Sequence, residues 1–141
     1  MIEHRLILWP MAVLAALTFF VLSLMPMFRV GDTMAGRTQA NDFKYGESDK
    51  VPEKTRLYNR NYMNLLELPV LFYVVCGILY MTDTLTRLEL YLAWGFVAFR
   101  ALHTVMHLTA NWVLGRMALF GGSVVCVMAM WLITFWNLAV A

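Results

Sequence analysis

Charged residues are scarce in this chain of 141 residues. Only 14% of the residues are charged and 61% are hydrophobic, whereas ordinary globular domains have about 25% and about 45–50%. Two segments, residues 6–28 and 117–141, contain no charged residue at all. Each is longer than the roughly 20 apolar residues that a helix needs to cross a bilayer. The scarcity of charge therefore excludes an ordinary water-soluble domain and predicts a membrane protein.

The apolar segments also lack the alternation of polar and apolar residues that is typical of a membrane β-barrel strand. A backbone that crosses lipid must satisfy its own hydrogen bonds, which leaves helices as the remaining choice. Two further segments, 62–82 and 90–112, are dominated by apolar residues in spite of a few polar ones. We therefore predict an all-α integral membrane protein, a single domain that forms a four-helix bundle with transmembrane spans at about 6–28, 62–82, 90–112 and 117–140.

Cysteine is rare as well. The two cysteines, Cys76 and Cys126, fall near the middles of the second and fourth predicted spans. At that depth a thiol stays protonated and packs as a small hydrophobic group. We therefore expect neither a nucleophilic cysteine nor a disulfide.

Basic residues are concentrated between the first two spans, in a loop at about residues 29–60. This loop holds seven Lys and Arg residues, whereas the connection after the second span offers only Arg87. Cytoplasmic loops are enriched in Lys and Arg, so we predict that the long loop faces the cytoplasm and that both termini lie on the opposite side. The C-terminus shows no retention signal, which favours a bacterial inner membrane. The net charge of +2 singles out no partner, and we expect contact with membrane lipid and none with nucleic acid.

The few polar residues within the spans are grouped on two helix faces. Arg60, Asn64 and Glu67 fall within a sector of about 60° on the second helix. A similar sector of about 80° on the third helix begins at Arg100. An ionisable group in a membrane helix costs about 2.5–3.5 kcal/mol or more, so each needs a partner or a function. We expect the two faces to converge near the cytoplasmic side. The third-helix sector contains Arg100, His103, His107 and Asn111.

Four arginines lie at this membrane level, but only one carboxylate lies within the spans there, Glu67. One interpretation is that Glu67 pairs with an arginine of another helix and fixes the packing of the bundle. That pairing leaves three guanidinium groups, which cannot lose their protons, without a partner. The other interpretation is an anionic ligand whose carboxylates bind arginines and whose ammonium group binds Glu67. The four arginines are Arg29, Arg60, Arg100 and Arg116.

His103 and His107 are four residues apart, a spacing that could hold a metal from one helix face. A metal site needs three or four ligands. The remaining histidine, His4, belongs to the opposite membrane face, and both cysteines lie in mid-bilayer. We therefore predict no metal site and expect both histidines to form hydrogen bonds beside the arginines.

Two spaced motifs carry a resemblance to a known family. The second span contains R-x3-N-x2-E, from Arg60 to Glu67, followed closely by Pro69 and a hydrophobic run. This resembles the second-helix signature of the MAPEG family, membrane-associated proteins of eicosanoid and glutathione metabolism. The pattern R-x2-H-x3-H-x8-R, from Arg100 to Arg116, is similar to the third-helix pattern of one member, microsomal prostaglandin E synthase. The resemblance covers essentially the whole chain.

The resemblance implies a homotrimer of four-helix subunits that binds glutathione between neighbouring subunits, near the cytoplasmic side. Arg116 matches the arginine that stabilises the glutathione thiolate and is therefore the expected catalytic residue. Glu67 is expected to bind the γ-glutamyl ammonium group. The glutathione-binding residues implied by the resemblance are Arg29, Arg60, Asn64, Glu67, Arg100, His103 and His107.

Two positions depart from the pattern of the eicosanoid enzymes. His107 stands where they carry a tyrosine, and Met117 stands where the prostaglandin synthase has a serine. We therefore expect a glutathione transferase or peroxidase that delivers the thiolate to a lipophilic electrophile or hydroperoxide. Two alternatives remain: a non-catalytic membrane protein of the same fold that binds glutathione or another anion, and an ion or proton pathway lined by His103, His107 and Glu67.

Overall fold

The computed structural model describes residues 3–44 and 48–140. Within these ranges the regular structure is entirely helical. Four long helices carry the fold: α1 (Leu8–Met34), α2 (Glu53–Thr82), α3 (Arg87–Leu108) and α4 (Val113–Val140). Two single turns of 3-10 helix accompany them, at His4–Ile7 before α1 and at Ala40–Phe43 between α1 and α2.

The helices begin and end at different residues from the predicted spans. α1 continues to Met34 and α2 begins at Glu53, so the connection between them covers 35–52 and not 29–60. α3 ends at Leu108, before the predicted limit of 112, and Asn111 lies in the turn that follows. Apolar length measures the part of a helix that lipid can surround, whereas the helix itself continues into charged sequence wherever its hydrogen bonds are satisfied.

Three of the described helices are long and apolar enough to cross a membrane. They are α1 with its preceding turn (His4–Met34), α2 and α4. α3 does not belong to this group, because Arg100, His103 and His107 lower its mean hydropathy. The third helix as a membrane span stays a prediction.

The core lies along the middle of the bundle, and large apolar side chains also cover the outside. Phe72 of α2 stacks on Phe96 of α3 with 4.5 Å between ring centroids. On the outer surface, Phe19 and Trp136 are 69% and 72% exposed. A water-soluble protein rarely shows so much exposed apolar area, whereas lipid accepts it. Gly122 lets α4 approach α3 closely, because an added Cβ would lie 2.8 Å from the Phe99 ring.

A buried carboxylate near the end of α1 also joins α1 to α2. Asp32, near the end of α1, is buried and accepts hydrogen bonds from Thr55 of α2 and from Arg37. The ion pair between Arg37 and Asp32 measures 2.8 Å. Asp32 is therefore a buried acceptor although it lies in a charged stretch of the sequence. These contacts hold the end of α1 against the start of α2, the two helices that lead into the polar region.

A second buried carboxylate, Glu89, joins α3 to α4 at the other end of the bundle. Glu89 is 0% exposed, and its Oε2 accepts from the backbone N–H and the hydroxyl of Thr86 at 3.0 and 2.7 Å. Its Oε1 accepts from the Thr134 hydroxyl at 3.0 Å. Thr86 also caps α3 through the Glu89 backbone N–H. This network explains why α3 begins where it does.

Replacing Thr134 by valine is expected to lower the free energy of unfolding by about 1–3 kcal/mol, because it removes a donor from a buried carboxylate at nearly constant volume. The measurement is thermal unfolding of the detergent-solubilised protein. Thr109→Val is the matched control, since the Thr109 hydroxyl is exposed and donates to the Val105 carbonyl in the preceding turn of α3. Equal melting temperatures for the two variants would contradict a stabilising role of this network.

Candidate functional site

Three of the predicted site residues lie together on the buried face of α3. Arg100, His103 and His107 are 1%, 4% and 0% exposed. They share a face because residues three and four apart point in the same direction from a helix. The rings of His103 and His107 meet edge to face with 5.6 Å between centroids. The polar face predicted for the third helix therefore points into the protein.

Arg100 contacts two aromatic rings and makes few hydrogen bonds. Its Cζ atom is 4.7 Å from the centroid of the Phe120 ring and 5.6 Å from that of Phe96. Its Nη1 donates to the Asn64 carbonyl at 3.4 Å. Among the described residues, its Nε and Nη2 have no hydrogen-bond partner. Two donors of a buried cation are thus left for a ligand or for water.

Arg116 is held at the start of α4 by the turn between α3 and α4. Its Nη1 donates to Asn111 Oδ1 at 2.5 Å. Asn111 has φ +48°, in the left-handed region that asparagine tolerates better than most residues. The backbone N–H of Asn111 also donates to the Met106 carbonyl at 2.7 Å. The turn thereby fixes the Arg116 guanidinium, which is half-buried.

A cavity of about 270 Å³ lies beside Arg116. His103 and Arg116 form its polar side, and Phe120 connects it to the Arg100 guanidinium through the cation–π contact. Its other lining residues are apolar or small. They are Val113, Met117 and Gly121.

The predicted site residues of α2 differ from one another in their exposure. Asn64 is half-buried, and its carbonyl accepts from Arg100. Arg60 and Glu67 are exposed on the surface of the chain. Glu67 acts on Arg100 electrostatically, but the ion pairs between described residues do not join the two. In this chain, therefore, Glu67 is not the buried interhelical partner that the sequence allowed.

Arg29 lies at the same end of the bundle, on the side of the long connection. Its Nη2 donates to Asn59 Oδ1 at 3.2 Å, and its Cζ lies 5.1 Å from the centroid of the Phe43 ring. The cavity beside Arg116 is not lined by Arg29. The structure thus brings Arg100, His103 and Arg116 together and places Arg29 in a separate contact with α2.

Two buried polar residues in this region were missed by the sequence interpretation. Asn61 of α2 is 0% exposed and its Nδ2 lies 3.4 Å from His107 Nδ1. Thr104 of α3 is 4% exposed, and its hydroxyl has no partner among the described residues. The available signal for Thr104 was its polarity within an apolar span, four residues after Arg100, and the signal for Asn61 was its position directly after Arg60.

The arrangement favours binding of an anion over binding of a metal. In residues 3–44 and 48–140, no three His, Cys, Asp or Glu side chains are close enough together to hold a metal ion. Cys76 and Cys126 are both buried and free. The polar groups available at the site are mainly guanidinium and imidazole groups, which donate hydrogen bonds to carboxylates and thiolates.

The fold and the site together define a helical integral membrane protein with a cationic pocket at one end of the bundle. The chain belongs to the MAPEG family, whose sequence model matches residues 7–136. No curated protein sequence and no solved structure matches the chain. The family includes glutathione transferases and peroxidases as well as non-catalytic members.

Proposed function

We propose that this protein is a glutathione-dependent membrane enzyme of the transferase or peroxidase type. In this proposal Arg116 stabilises the glutathione thiolate. The thiolate either displaces the leaving group of a lipophilic electrophile to form a thioether, or attacks a lipophilic hydroperoxide. In the second case the O–O bond breaks to give an alcohol, and a second glutathione converts the oxidised sulfur into glutathione disulfide with release of water. Glutathione carries two carboxylates, one ammonium group and one thiol. It therefore supplies negative groups for several arginines and one positive group for Glu67.

The observation that carries the proposal is the burial and the incomplete hydrogen bonding of Arg100. A guanidinium in a membrane-spanning region keeps its proton, so it needs either an acidic partner or an anionic ligand. Arg100 is 1% exposed and has two donor atoms without a partner among the described residues. Aromatic faces stabilise its charge only partly, by about 0.5–2 kcal/mol. A bound carboxylate would satisfy both atoms in a bidentate pair.

The cavity beside Arg116 supports the reaction class. A thiolate held by Arg116 would lie against Val113, Met117 and Phe120, three apolar side chains that line the cavity. Met117 and Val113 are also exposed on the outer surface, 64% and 60%. A lipophilic acceptor could therefore reach the sulfur from the surrounding lipid.

We further propose that the site is completed by a neighbouring subunit in a homotrimer. Arg60 and Glu67 are exposed on the single subunit, so ligand contacts through them fit a pocket between subunits better than one inside the bundle. We place this end of the bundle at the cytoplasmic side of a bacterial inner membrane, following the seven basic residues in the region 29–60 and the positive-inside rule.

Isothermal titration of the detergent-solubilised protein with glutathione tests the proposal. Binding in the micromolar to millimolar range is expected, and ophthalmic acid, which replaces the thiol of glutathione by a methyl group, is expected to bind more weakly because it cannot form the thiolate. No heat of binding at millimolar glutathione would contradict the assignment of the site.

A non-catalytic member of the family could bind glutathione in the same way. Turnover of a generic electrophile such as chlorodinitrobenzene, or of cumene hydroperoxide, separates the two functions. We expect thioether formation or peroxide loss that depends on glutathione. Binding without either reaction would favour the non-catalytic function. Glutathione-independent proton flux in liposomes would instead indicate a pathway lined by His103, His107 and Glu67.

A further inference from the structure

Asn61 of α2 and His107 of α3 form a fully buried polar contact. Both side chains are 0% exposed, and the distance from Asn61 Nδ2 to His107 Nδ1 is 3.4 Å. Asn61 lies outside the motif R-x3-N-x2-E, and the proposed function assigns it no task. His107 Nε2 and Asn61 Oδ1 have no partner among the described residues.

The chemistry of the amide restricts the state of the imidazole. An amide nitrogen can only donate a hydrogen bond, so the ring nitrogen facing it must accept. In a neutral histidine, an accepting Nδ1 means that the ring proton resides on Nε2. The ring then presents an N–H donor on the side away from Asn61.

The His107 ring lies close to the cationic groups of the site. His107 is within electrostatic range of Arg116 and Arg60, and its ring contacts the His103 ring that lines the cavity. A buried N–H without a partner costs about 1–3 kcal/mol, so its neighbour in the working protein is water or ligand.

We propose that Asn61 is a positioning residue that holds His107 in the Nε2–H tautomer, and that this N–H donates a hydrogen bond to bound glutathione. The second half rests on the proposed function, whereas the tautomer does not. In this arrangement His107 is a fixed donor and not a general base, because an Nε2 that already carries the proton cannot accept the proton of the thiol.

The tautomer is tested by ¹⁵N NMR of protein labelled at histidine, since a protonated and an unprotonated ring nitrogen have distinct chemical shifts. The His107 signals are assigned by their loss in His107→Gln. We expect unprotonated Nδ1 and protonated Nε2 in the unaltered protein. Protonated Nδ1 in that protein would overturn the proposal, whatever any variant does.

Asn61→Asp is the informative variant, because a carboxylate only accepts hydrogen bonds and so requires a proton on Nδ1. We expect a protonated Nδ1 and an unprotonated Nε2 in this variant, and a glutathione dissociation constant raised about tenfold because the Nε2–H donor is lost. Asn41→Asp, the same change at an exposed position of the long connection, is expected to alter neither. An Asn61→Asp protein whose Nδ1 stays unprotonated would show that Asn61 does not control the tautomer.

The two halves can fail separately. If the unaltered protein has the expected tautomer but binds no glutathione, the proposed function fails and the pairing of Asn61 with His107 stands. If glutathione binds and Asn61→Asp removes the proton from Nε2 without weakening binding, the hydrogen bond from Nε2 to glutathione is overturned.

Discussion

Replacing Arg100 with methionine is expected to raise the dissociation constant for glutathione about 100-fold or more, without lowering the stability of the protein. Hydrogen bonds to charged groups contribute about 1.5–3 kcal/mol each. The loss of two such bonds, from Nε and Nη2, therefore corresponds to at least two factors of ten at about 1.4 kcal/mol per factor. Isothermal titration of the detergent-solubilised variant measures this loss.

The stability of the same variant separates a binding role from a structural one. A buried cation with two donors lacking partners contributes little to the apo protein, and replacing a buried charge by an apolar side chain of similar size is often neutral or stabilising. We therefore expect the melting temperature without glutathione to stay the same or to rise. If Arg100 fixed the bundle by pairing with Glu67, the melting temperature would fall and glutathione affinity would change little.

Arg87→Met is the matched control for Arg100→Met. Arg87 is on the same helix, but it is exposed in the first turn, at the end of the bundle opposite the site. The same chemical change at this position is expected to leave both affinity and melting temperature unchanged. A loss of binding in Arg87→Met would indicate a general effect of charge, independent of the site.

Replacing Arg116 with alanine is expected to abolish the absorbance of the bound glutathione thiolate near 240 nm and to lower the rate of conjugation about 100-fold at pH 7. A fixed positive charge within about 4–6 Å lowers the pKa of an acid by about 1–3 units. A thiol with a pKa of about 8.5 is mostly protonated at pH 7, but with a pKa of about 6.5 it is mostly ionised. The lower rate thus comes from a smaller fraction of thiolate and from the lost stabilisation of its negative charge.

The pH dependence of the conjugation rate should differ between the unaltered protein and Arg116→Ala. In the unaltered protein the thiolate predominates at pH 7, so the rate should change little between pH 7 and 9. In Arg116→Ala the rate should rise through this range, because hydroxide now ionises a thiol with an ordinary pKa. An unchanged thiolate signal in the variant would remove Arg116 from the proposed role.

Two further variants separate the effect of the Arg116 charge from the effect of its position. Arg116→Lys retains the charge and should keep part of the thiolate signal. Asn111→Ala removes the acceptor that holds Arg116 Nη1 and should give an intermediate rate with normal glutathione affinity. An Asn111→Ala rate equal to that of the unaltered protein would show that the turn does not position the guanidinium.

The helical class of the protein could be predicted from its sequence, since long runs of apolar residues measure directly what lipid can surround. The position of Arg100, His103 and His107 on one helix face could also be predicted. These residues belong to one helix, and the angle between side chains of one helix depends only on their spacing. The structure accordingly places all three on the same buried face.

Some local features depend on contacts that no spacing rule describes. Glu89 is an ordinary charged residue near a predicted helix start, but the structure buries it against Thr134, which is 45 residues away. Asn111 continued the polar sector of the third helix in the sequence, but it lies in a left-handed turn and holds Arg116. Both outcomes follow from partners brought together by the fold.

The sequence by itself determined that α2 carries a polar stripe of Arg60, Asn64 and Glu67, and only the tertiary structure decided which way that stripe points. The side of α2 that packs inside the bundle is a different stripe, and it leaves Arg60 and Glu67 at the surface. The spacing of residues fixes angles within one helix, but the rotation of that helix depends on how its side chains interlock with distant segments. The inward stripe of α2 includes Asn61, Leu65, Pro69, Phe72, Val75, Cys76 and Leu79.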